Sequence, residues 1–205
     1  MFSKLSPASL WTLFLALAWF TSSPYAFAHD RPDNGGRLTR EEALALAFPG
    51  CKVERGTAYL DKSQVKRVAT LSKVKFKSTV VYPYRATKQG KWIGTAYFDT
   101  HRVRTKRETL MVVVKPDGRL GRVEVLVFAE PKEYIPRPKW YQQFDGHKLT
   151  DQLYVNRKVR GVTGATLTST VTTQCTRRVL ALDQVLRETK SAKQRKTPKP
   201  APTLQ

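Results

Sequence analysis

The chain has 205 residues, a formal net charge of +21 and 40% hydrophobic residues, which is enough apolar material for the core of one domain. Its two cysteines exclude a disulfide-dense scaffold, a four-cysteine zinc site and a cysteine-held iron–sulfur cluster. No Cys-x-x-Cys-His motif occurs, so covalent c-type haem is excluded as well.

The N-terminal segment has the pattern of a signal peptide. Lys4 supplies a positive charge, the apolar run 10–20 follows it, and an Ala-Phe-Ala cleavage pattern ends at Ala28. The run is shorter than the roughly 20 residues that a membrane-spanning helix needs. We therefore expect an exported, periplasmic protein from which residues 1–28 are removed. An uncleaved segment that anchors the protein to the membrane is the alternative.

Two helices are predicted at the start of the mature chain, followed by a change of period. A capping box at 39–42 predicts a helix that ends at Pro49, and apolar spacing predicts a second, shorter helix over 63–71. Apolar and polar residues then alternate over 74–82, which predicts a half-buried strand.

Two hairpins are predicted next. Strands are expected at 92–98, 109–114 and 122–128, with turn signals at 88–91 and 116–118. Consecutive hairpins form an antiparallel sheet, so together with the helices they predict an α+β fold. The segment 131–145 is rich in Pro, Tyr and Trp without a clear period, and we expect an irregular loop there that carries function.

The last predicted element is an amphipathic helix that ends near Arg187. Its apolar face repeats at steps of three and four residues over Val171, Cys175, Val179, Leu182 and Leu186. Residues 189–205 contain many basic residues, three prolines and no acid, which predicts a basic disordered tail. The chain is therefore expected to be one domain over 29–188.

The histidines and cysteines do not form a recognisable site in the sequence. His29, His101 and His147 are scattered, so we predict no metal site and interpret His101 as a surface residue. Cys51 and Cys175 allow a disulfide between the first and last helices, or two small buried side chains.

The strongest signal precedes the last helix, in the segment 161–170. Backbone N–H groups in the first turn of a helix lack partners and carry a partial positive charge. Gly164 and Ala165 are small enough for a ligand to approach the backbone, and Arg157, Lys158 and Arg160 add positive charge upstream. This arrangement is suited to binding a phosphate group, and an ordinary Ser/Thr helix cap is the alternative.

Residues 163–169, Thr-Gly-Ala-Thr-Leu-Thr-Ser, resemble the S/T-G-A-T signature of the FMN-binding domain family. This periplasmic domain occurs within the sodium-translocating NADH:quinone reductase, within the Rnf electron-transfer complex, in a nitrous-oxide-reductase regulator and in small exported proteins. The resemblance covers most of 40–187 and is most specific over 90–187. It implies cofactor-binding residues in one segment, namely Thr163, Gly164, Ala165, Thr166, Leu167 and Thr168.

The resemblance also implies how the cofactor is held and used. In the family an exported flavin transferase esterifies the FMN phosphate to the last Thr of the tetrad, here Thr166. The implied protein is an electron carrier with no catalytic residue of its own. One position departs from the pattern, because Arg160 stands where the family commonly has an acid. A basic binding module that has lost covalent flavin and docks on anionic lipid or an acidic partner is therefore the alternative.

Further residues are candidates for contact with the flavin ring. Tyr134, Trp140, Tyr141 and Glu130 lie in or beside the irregular segment, and aromatic side chains supply flat apolar walls. Cations near the ring stabilise reduced flavin, and Arg104 and Arg107 are candidates for that role.

The expected partners are the flavin transferase, a membrane-bound or haem redox partner, and anionic lipid. Export argues against nucleic acid as the partner of the positive charge. A flavin-dependent reductase with its own small substrate is a third hypothesis.

Overall fold

A computed structural model describes residues 38–196, and the predicted signal peptide and the end of the predicted tail lie outside this part of the chain. Its centre is an antiparallel sheet of five strands, which in spatial order are β1 (Lys52–Arg55), β4 (Tyr84–Lys88), β5 (Lys91–Arg102), β6 (Arg107–Val114) and β7 (Leu120–Phe128). A second sheet pairs β2 (Ala58–Tyr59) with β3 (Val80–Val81). The helices are α1 (Arg40–Ala47), α2 (Lys62–Ser72), α3 (Pro138–Tyr141) and α4 (Thr166–Lys196). The predicted α+β class and antiparallel hairpins are confirmed.

The large sheet is covered on both faces. Leu110 and Val112 of β6 pack into a core shared with α2 and α4, whereas Met111 and Val113 pack into a second core shared with α1. Successive side chains of a strand point to opposite faces, so a strand buried on both faces is apolar at consecutive positions. The continuous apolar run at the end of β6 has this cause.

Capping residues begin the first two helices, and α2 is longer than α1, not shorter as the sequence predicts. Thr39 Oγ1 accepts a hydrogen bond from the Glu42 backbone N–H at 3.2 Å, and the Thr39 backbone N–H donates to Glu42 Oε2 at 2.8 Å. Asp61 and Gln64 form the same reciprocal pair at the start of α2. Each box satisfies two N–H groups that a helix terminus leaves without intrahelical partners.

Three further sequence predictions need correction. The strand expected over 74–82 is only Val80–Val81, because in this segment only these two residues pair with another strand, β2. The irregular segment 131–145 contains α3 and two short 3-10 helices, Lys132–Tyr134 and Gln142–Phe144. Helix α4 continues beyond Arg187 to Lys196, into the segment that was expected to be a disordered tail.

The two cysteines are free thiols that belong to different cores. Cys51 packs against the α1 core, whereas Cys175 is buried in the α4 core. The five-stranded sheet lies between these cores, so the disulfide left open by the sequence does not form. Within residues 38–196, no helix combines the length and the apolar character that crossing a membrane requires.

Candidate functional site

The candidate site is the turn that leads into α4. The Ala165 backbone N–H donates to Val162 O at 3.0 Å, and Gly164 lies at φ 81° between them. A positive φ is readily adopted by glycine and strained for other residues. Gly164 therefore lets the chain reverse sharply, so that Thr166 becomes the first residue of the helix.

The turn presents three backbone donors at the start of the helix. Ala165 O accepts the Ser169 N–H at 2.9 Å, which is the first backbone hydrogen bond of the helix. In the described part of the chain, no backbone acceptor takes the N–H groups of Thr166, Leu167 and Thr168. These donors and the positive end of the helix dipole favour an anion at this position.

The threonine hydroxyls of the turn have different environments. Thr166 is exposed, and its Oγ1 makes only a long contact of 3.4 Å with Val162 O. Thr168 is buried, and its Oγ1 donates to Tyr134 O at 2.6 Å. The Thr166 hydroxyl is therefore accessible to a reactant, whereas the Thr168 hydroxyl anchors the helix to the 3-10 helix Lys132–Tyr134.

A shallow cleft of about 190 Å³ lies beside the turn. Its lining consists of Gly164, Ala165, Thr166, Leu167 and Thr168 from the turn, with Arg104 and Tyr134 from two other segments. The Arg104 guanidinium lies 4.8 Å from the centre of the Tyr134 ring, which is a cation–π contact. Five of the six residues expected to bind a cofactor thus line one cleft, and Thr163 is exposed outside it.

Glu130 positions the loop that carries Arg104. Its Oε1 accepts the backbone N–H groups of Arg104, Thr105 and Lys106 at 3.1, 2.7 and 2.7 Å. The hydrogen bond from Lys106, with those from Thr105 and Arg104, lowers the pKa of Glu130 against the opposing effect of burial. Glu130, a candidate for ring contact, therefore acts as the acceptor that fixes one wall of the cleft.

The other candidate ring contacts do not line the cleft. Trp140 Nε1 donates to Arg160 O at 2.7 Å, and its ring packs edge-on against Tyr141 and Phe144. Tyr141 is buried in the α4 core. Tyr134 is the aromatic candidate that the structure does place at the cleft, because the Thr168 hydrogen bond holds its backbone there.

The basic residues upstream of the turn also lie outside the cleft lining. The Arg157 guanidinium donates to Asp151 O at 2.9 Å, and the Arg160 backbone N–H donates to Gln143 Oε1 at 2.7 Å. Arg104 is the arginine that lines the cleft, whereas Arg107 does not. Sequence proximity suggested the upstream residues, but the hairpin between β5 and β6 brings Arg104 to the turn from a distant part of the chain.

His101 is not the surface residue that the sequence suggested. Its side chain is 10% exposed, with Nδ1 at 2.9 Å from Asp99 Oδ1 and Nε2 at 2.8 Å from Glu108 Oε2. Arg178 of α4 binds the same Asp99 carboxylate through two hydrogen bonds of 2.8 and 2.6 Å. Because β5, β6 and α4 each contribute, no short motif could reveal this cluster.

The pKa values in this cluster reflect burial and pairing together. Burial raises the pKa of Asp99, but hydrogen bonds from His101 and Arg178 outweigh this effect and lower it to about 2. Burial lowers the pKa of His101, but its hydrogen bonds to Asp99 and Glu108 raise it overall. Burial raises the pKa of Glu108, and the hydrogen bond with His101 opposes it.

Donor atoms of Asp99, His101 and Cys175 lie within 4.8 Å of one another, which is close enough to share a metal ion. However, both Asp99 oxygens already bind Arg178, and burial raises the pKa of the Cys175 thiol well above its usual value. A metal ligand needs a deprotonated thiol and a carboxylate free to coordinate. The arrangement is better suited to a buried charge network than to a metal centre.

The comparison with protein families identifies the segment that contains the turn. The model of the FMN-binding domain matches residues 106–181, which include strands β6 and β7, both 3-10 helices, α3 and the first half of α4. No curated protein and no solved structure matches the chain.

Proposed function

Residues 106–181 belong to the FMN-binding domain family, and from this premise we propose that the protein is an exported electron carrier whose FMN is joined to Thr166 by a phosphoester. The observation that carries the proposal is the accessible Thr166 hydroxyl beside three backbone N–H groups that find no backbone acceptor among residues 38–196. FMN supplies the redox chemistry, and the chain supplies attachment and surroundings.

The phosphate end of FMN fits the chemistry of the turn. The N–H groups of Thr166, Leu167 and Thr168 donate hydrogen bonds, and Arg104 supplies a full positive charge on the opposite wall. The space beside Gly164 is open, because no atom lies within 4 Å of the position that a Cβ would occupy there. This space leaves room for a phosphate group to approach the backbone. These residues therefore suit a phosphate in either a covalent or a non-covalent complex.

The size of the cleft favours covalent attachment. Pockets that enclose a whole drug-sized ligand have volumes of roughly 300–1,000 Å³. The cleft at Thr166 is smaller, at about 190 Å³. A flavin bound there through its phosphate gains little binding free energy from burial of its ring. A covalent bond is therefore an effective way to retain the flavin outside the cell. The exposed Leu167 and the Tyr134 ring offer apolar surface on which part of the cofactor can lie.

The attachment is a group transfer from FAD, made by a flavin transferase. Thr166 Oγ1 forms a bond to the phosphorus of the FMN half, the pyrophosphate bond of FAD breaks, and AMP leaves. The hydroxyl proton is lost to solvent or to a base of the transferase. An exposed threonine at a helix terminus meets the requirement for access by a second protein.

Export and an anionic partner complete the proposal. The signal-peptide pattern at residues 1–28 supports a periplasmic location, with a membrane anchor as the alternative. The net charge of +21 supports docking on anionic lipid or on an acidic membrane-bound or haem redox partner. We also propose that one domain extends over 29–188.

The alternative function, a basic binding module without covalent flavin, depends on Arg160. The backbone N–H and C=O of this residue are held by Gln143 and Trp140, and its side chain is exposed. A cation at that place removes the acid that the transferase commonly meets in this family. A colourless protein from a host that contains the transferase would favour this alternative.

The test is expression with a flavin transferase in the exporting host, followed by denaturing electrophoresis. The wild type is expected to show flavin fluorescence in the gel and an intact mass increased by FMN less one water. Thr166→Ala is expected to lose both signals. Thr163→Ala is the matched control, because Thr163 is also an exposed threonine of the turn but lies outside the cleft. Flavin retained in Thr166→Ala would overturn the attachment site.

A further inference from the structure

A second cavity, larger than the first, lies at the edge of the five-stranded sheet. Its volume is about 470 Å³, which falls in the range of small-molecule pockets. Its walls come from the second half of β5, from β3 and the residues that flank it, and from the middle of α4, with Arg40 and Arg55 at the rim.

This cavity is separate from the cleft at Thr166, because the two share no lining residue. Arg178 lines the second cavity and lies twelve residues beyond Thr166 on the same helix. At 1.5 Å per residue, this separation is about 18 Å along the helix axis. A ligand in the second cavity therefore leaves the flavin attachment residue free.

The cavity exists because strand β4 is shorter than β5. The pairing of β4 with β5 ends where Tyr84 lies opposite Ala96. Beyond that point, Tyr97, Phe98 and Asp99 continue β5 with β6 as their only strand neighbour among residues 38–196. The missing length of β4 leaves a hollow between β5 and the chain that carries β3.

The charges around the cavity are mostly positive. Arg40, Arg55 and Arg178 contribute to the lining, and Asp99 is its one acid among the described residues. Asp99 is occupied by Arg178, which makes a neutral pair in the wall. Within residues 38–196, no carboxylate forms a salt bridge with Arg40 or Arg55.

The two rim arginines are held over aromatic rings instead. The Arg40 guanidinium lies 5.1 Å from the centre of the Phe98 ring and 5.9 Å from that of Tyr84. The Arg55 guanidinium lies 4.1 Å from the centre of the Tyr82 ring. Such stacking fixes the position of the planar cation while its N–H groups stay available to an acceptor.

Apolar side chains form the rest of the surface. Phe76, Val80, Val81, Val179 and Leu182 line the interior between the arginines and the helix. An apolar interior with a few convergent polar groups is the usual composition of a ligand pocket.

We propose that this cavity binds a small amphipathic anion, with an aromatic or extended apolar body between β5 and α4 and its acidic group at Arg40 and Arg55. The cations at the rim match the charge of the acidic group, and the interior matches its body. The molecule is recognised through both parts, so neither a simple inorganic anion nor a neutral aromatic compound satisfies the site.

Two fluorescent probes test both halves of this recognition. The first, 8-anilinonaphthalene-1-sulfonate, has an aromatic body and one acidic group, and N-phenyl-1-naphthylamine has the same body without the acid. The wild type is expected to bind the sulfonate in one site and more tightly than the neutral probe. Arg40→Gln/Arg55→Gln is expected to weaken sulfonate binding about tenfold or more and to leave binding of the neutral probe unchanged.

A matched control comes from another stacked arginine. Arg85 lies 4.6 Å from the centre of the Trp92 ring and does not line the cavity. Arg85→Gln is expected to keep wild-type sulfonate binding, as is Thr166→Ala. An unchanged affinity in Arg40→Gln/Arg55→Gln, or an equal loss in Arg85→Gln, would overturn the proposal. A circular dichroism melt of each variant shows that the probe reports on the folded protein.

Discussion

The Nε2 atom of His101 lies 2.8 Å from Oε2 of Glu108, a carboxylate that is completely buried beneath helix α4. Glu108 lies directly opposite His101 in the pairing of β5 with β6, and the other ring nitrogen binds Asp99. The imidazole therefore bridges two carboxylates whose charges would otherwise repel. Arg178 supplies the second cation and connects this hairpin to α4.

The pairing of His101 predicts a pH dependence of stability. The pKa of His101 is raised in the folded protein above its ordinary 6.5. The stabilisation that protonated His101 gives the folded state is therefore fully present below that pH. The contribution is lost as the pH rises through the raised value. We expect His101→Gln to lower the free energy of unfolding by about 3 kcal/mol at about pH 6 and by less at about pH 9, measured by urea denaturation.

His147 is a control for which we expect the opposite dependence of stability on pH. Burial, followed by the nearby Lys158 charge, lowers the pKa of His147. Its contribution therefore grows as the pH rises, and the difference between the wild type and His147→Gln should increase over the same interval. If the effect of His101→Gln were equal at all pH values, the histidine would not be the titrating group.

The role of Glu130 predicts a local loss of order. A neutral amide is a weaker acceptor than a carboxylate, so Glu130→Gln is expected to speed backbone hydrogen exchange at Arg104, Thr105 and Lys106. The nearby Glu133 is exposed, and Glu133→Gln should leave these rates unchanged. Equal exchange rates in Glu130→Gln and the wild type would show that the carboxylate does not hold the loop.

Gly164 predicts a link between backbone strain and flavin loading. Its φ of 81° is strained for alanine, although nothing lies within 4 Å of the added Cβ. We expect Gly164→Ala to cost about 1 kcal/mol of unfolding free energy and to reduce flavin fluorescence in the gel. Gly118 has nearly the same φ, 80°, in the turn between β6 and β7. Gly118→Ala should have a similar cost and full loading, so a parallel loss of flavin would point to general misfolding.

Substitution of Arg177 is expected to cause a large loss of stability. It is completely buried, where its Nε donates to Ser72 O at 2.8 Å and its Nη1 to Thr150 O at 2.5 Å. Arg177→Met removes the donor to the buried Ser72 carbonyl and leaves Thr150 O with the Leu153 N–H at 3.2 Å, so we expect a loss of about 3 kcal/mol in urea denaturation.

Arg67 is the control, because it also connects α2 to α4 but is exposed in its pair with Glu188. Arg67→Met should cost less than about 1 kcal/mol. Comparable losses from the two substitutions would contradict the role of burial.

Local signals in the sequence predicted the starts of the first two helices and of β5 to within one residue. The capping box at Thr39 depends on residues within one helical turn, and the reversal at 88–91 depends on Gln89 and Gly90, which both have positive φ. The turn before α4 is local in the same sense. These features follow from the chemistry of neighbouring residues.

Contacts between distant segments could not be predicted from local signals of this kind. Arg104 reaches the cleft only because the β5–β6 hairpin places its loop beside Tyr134, and the second cavity exists only because β4 begins as late as Tyr84. The alternation of apolar and polar residues over 74–82 is typical of a long strand, but only Val80–Val81 pair with another strand. Pairing partners and relative strand lengths are tertiary properties, which a single segment does not encode.

The sheet that separates Cys51 from Cys175 has a consequence for how the protein is made and handled. Because the native fold contains no bridge between these thiols, it needs no disulfide-forming catalyst in an oxidising compartment. Adding a reducing agent should therefore leave the melting temperature unchanged, and a covalently attached cofactor would remain in place under the same treatment.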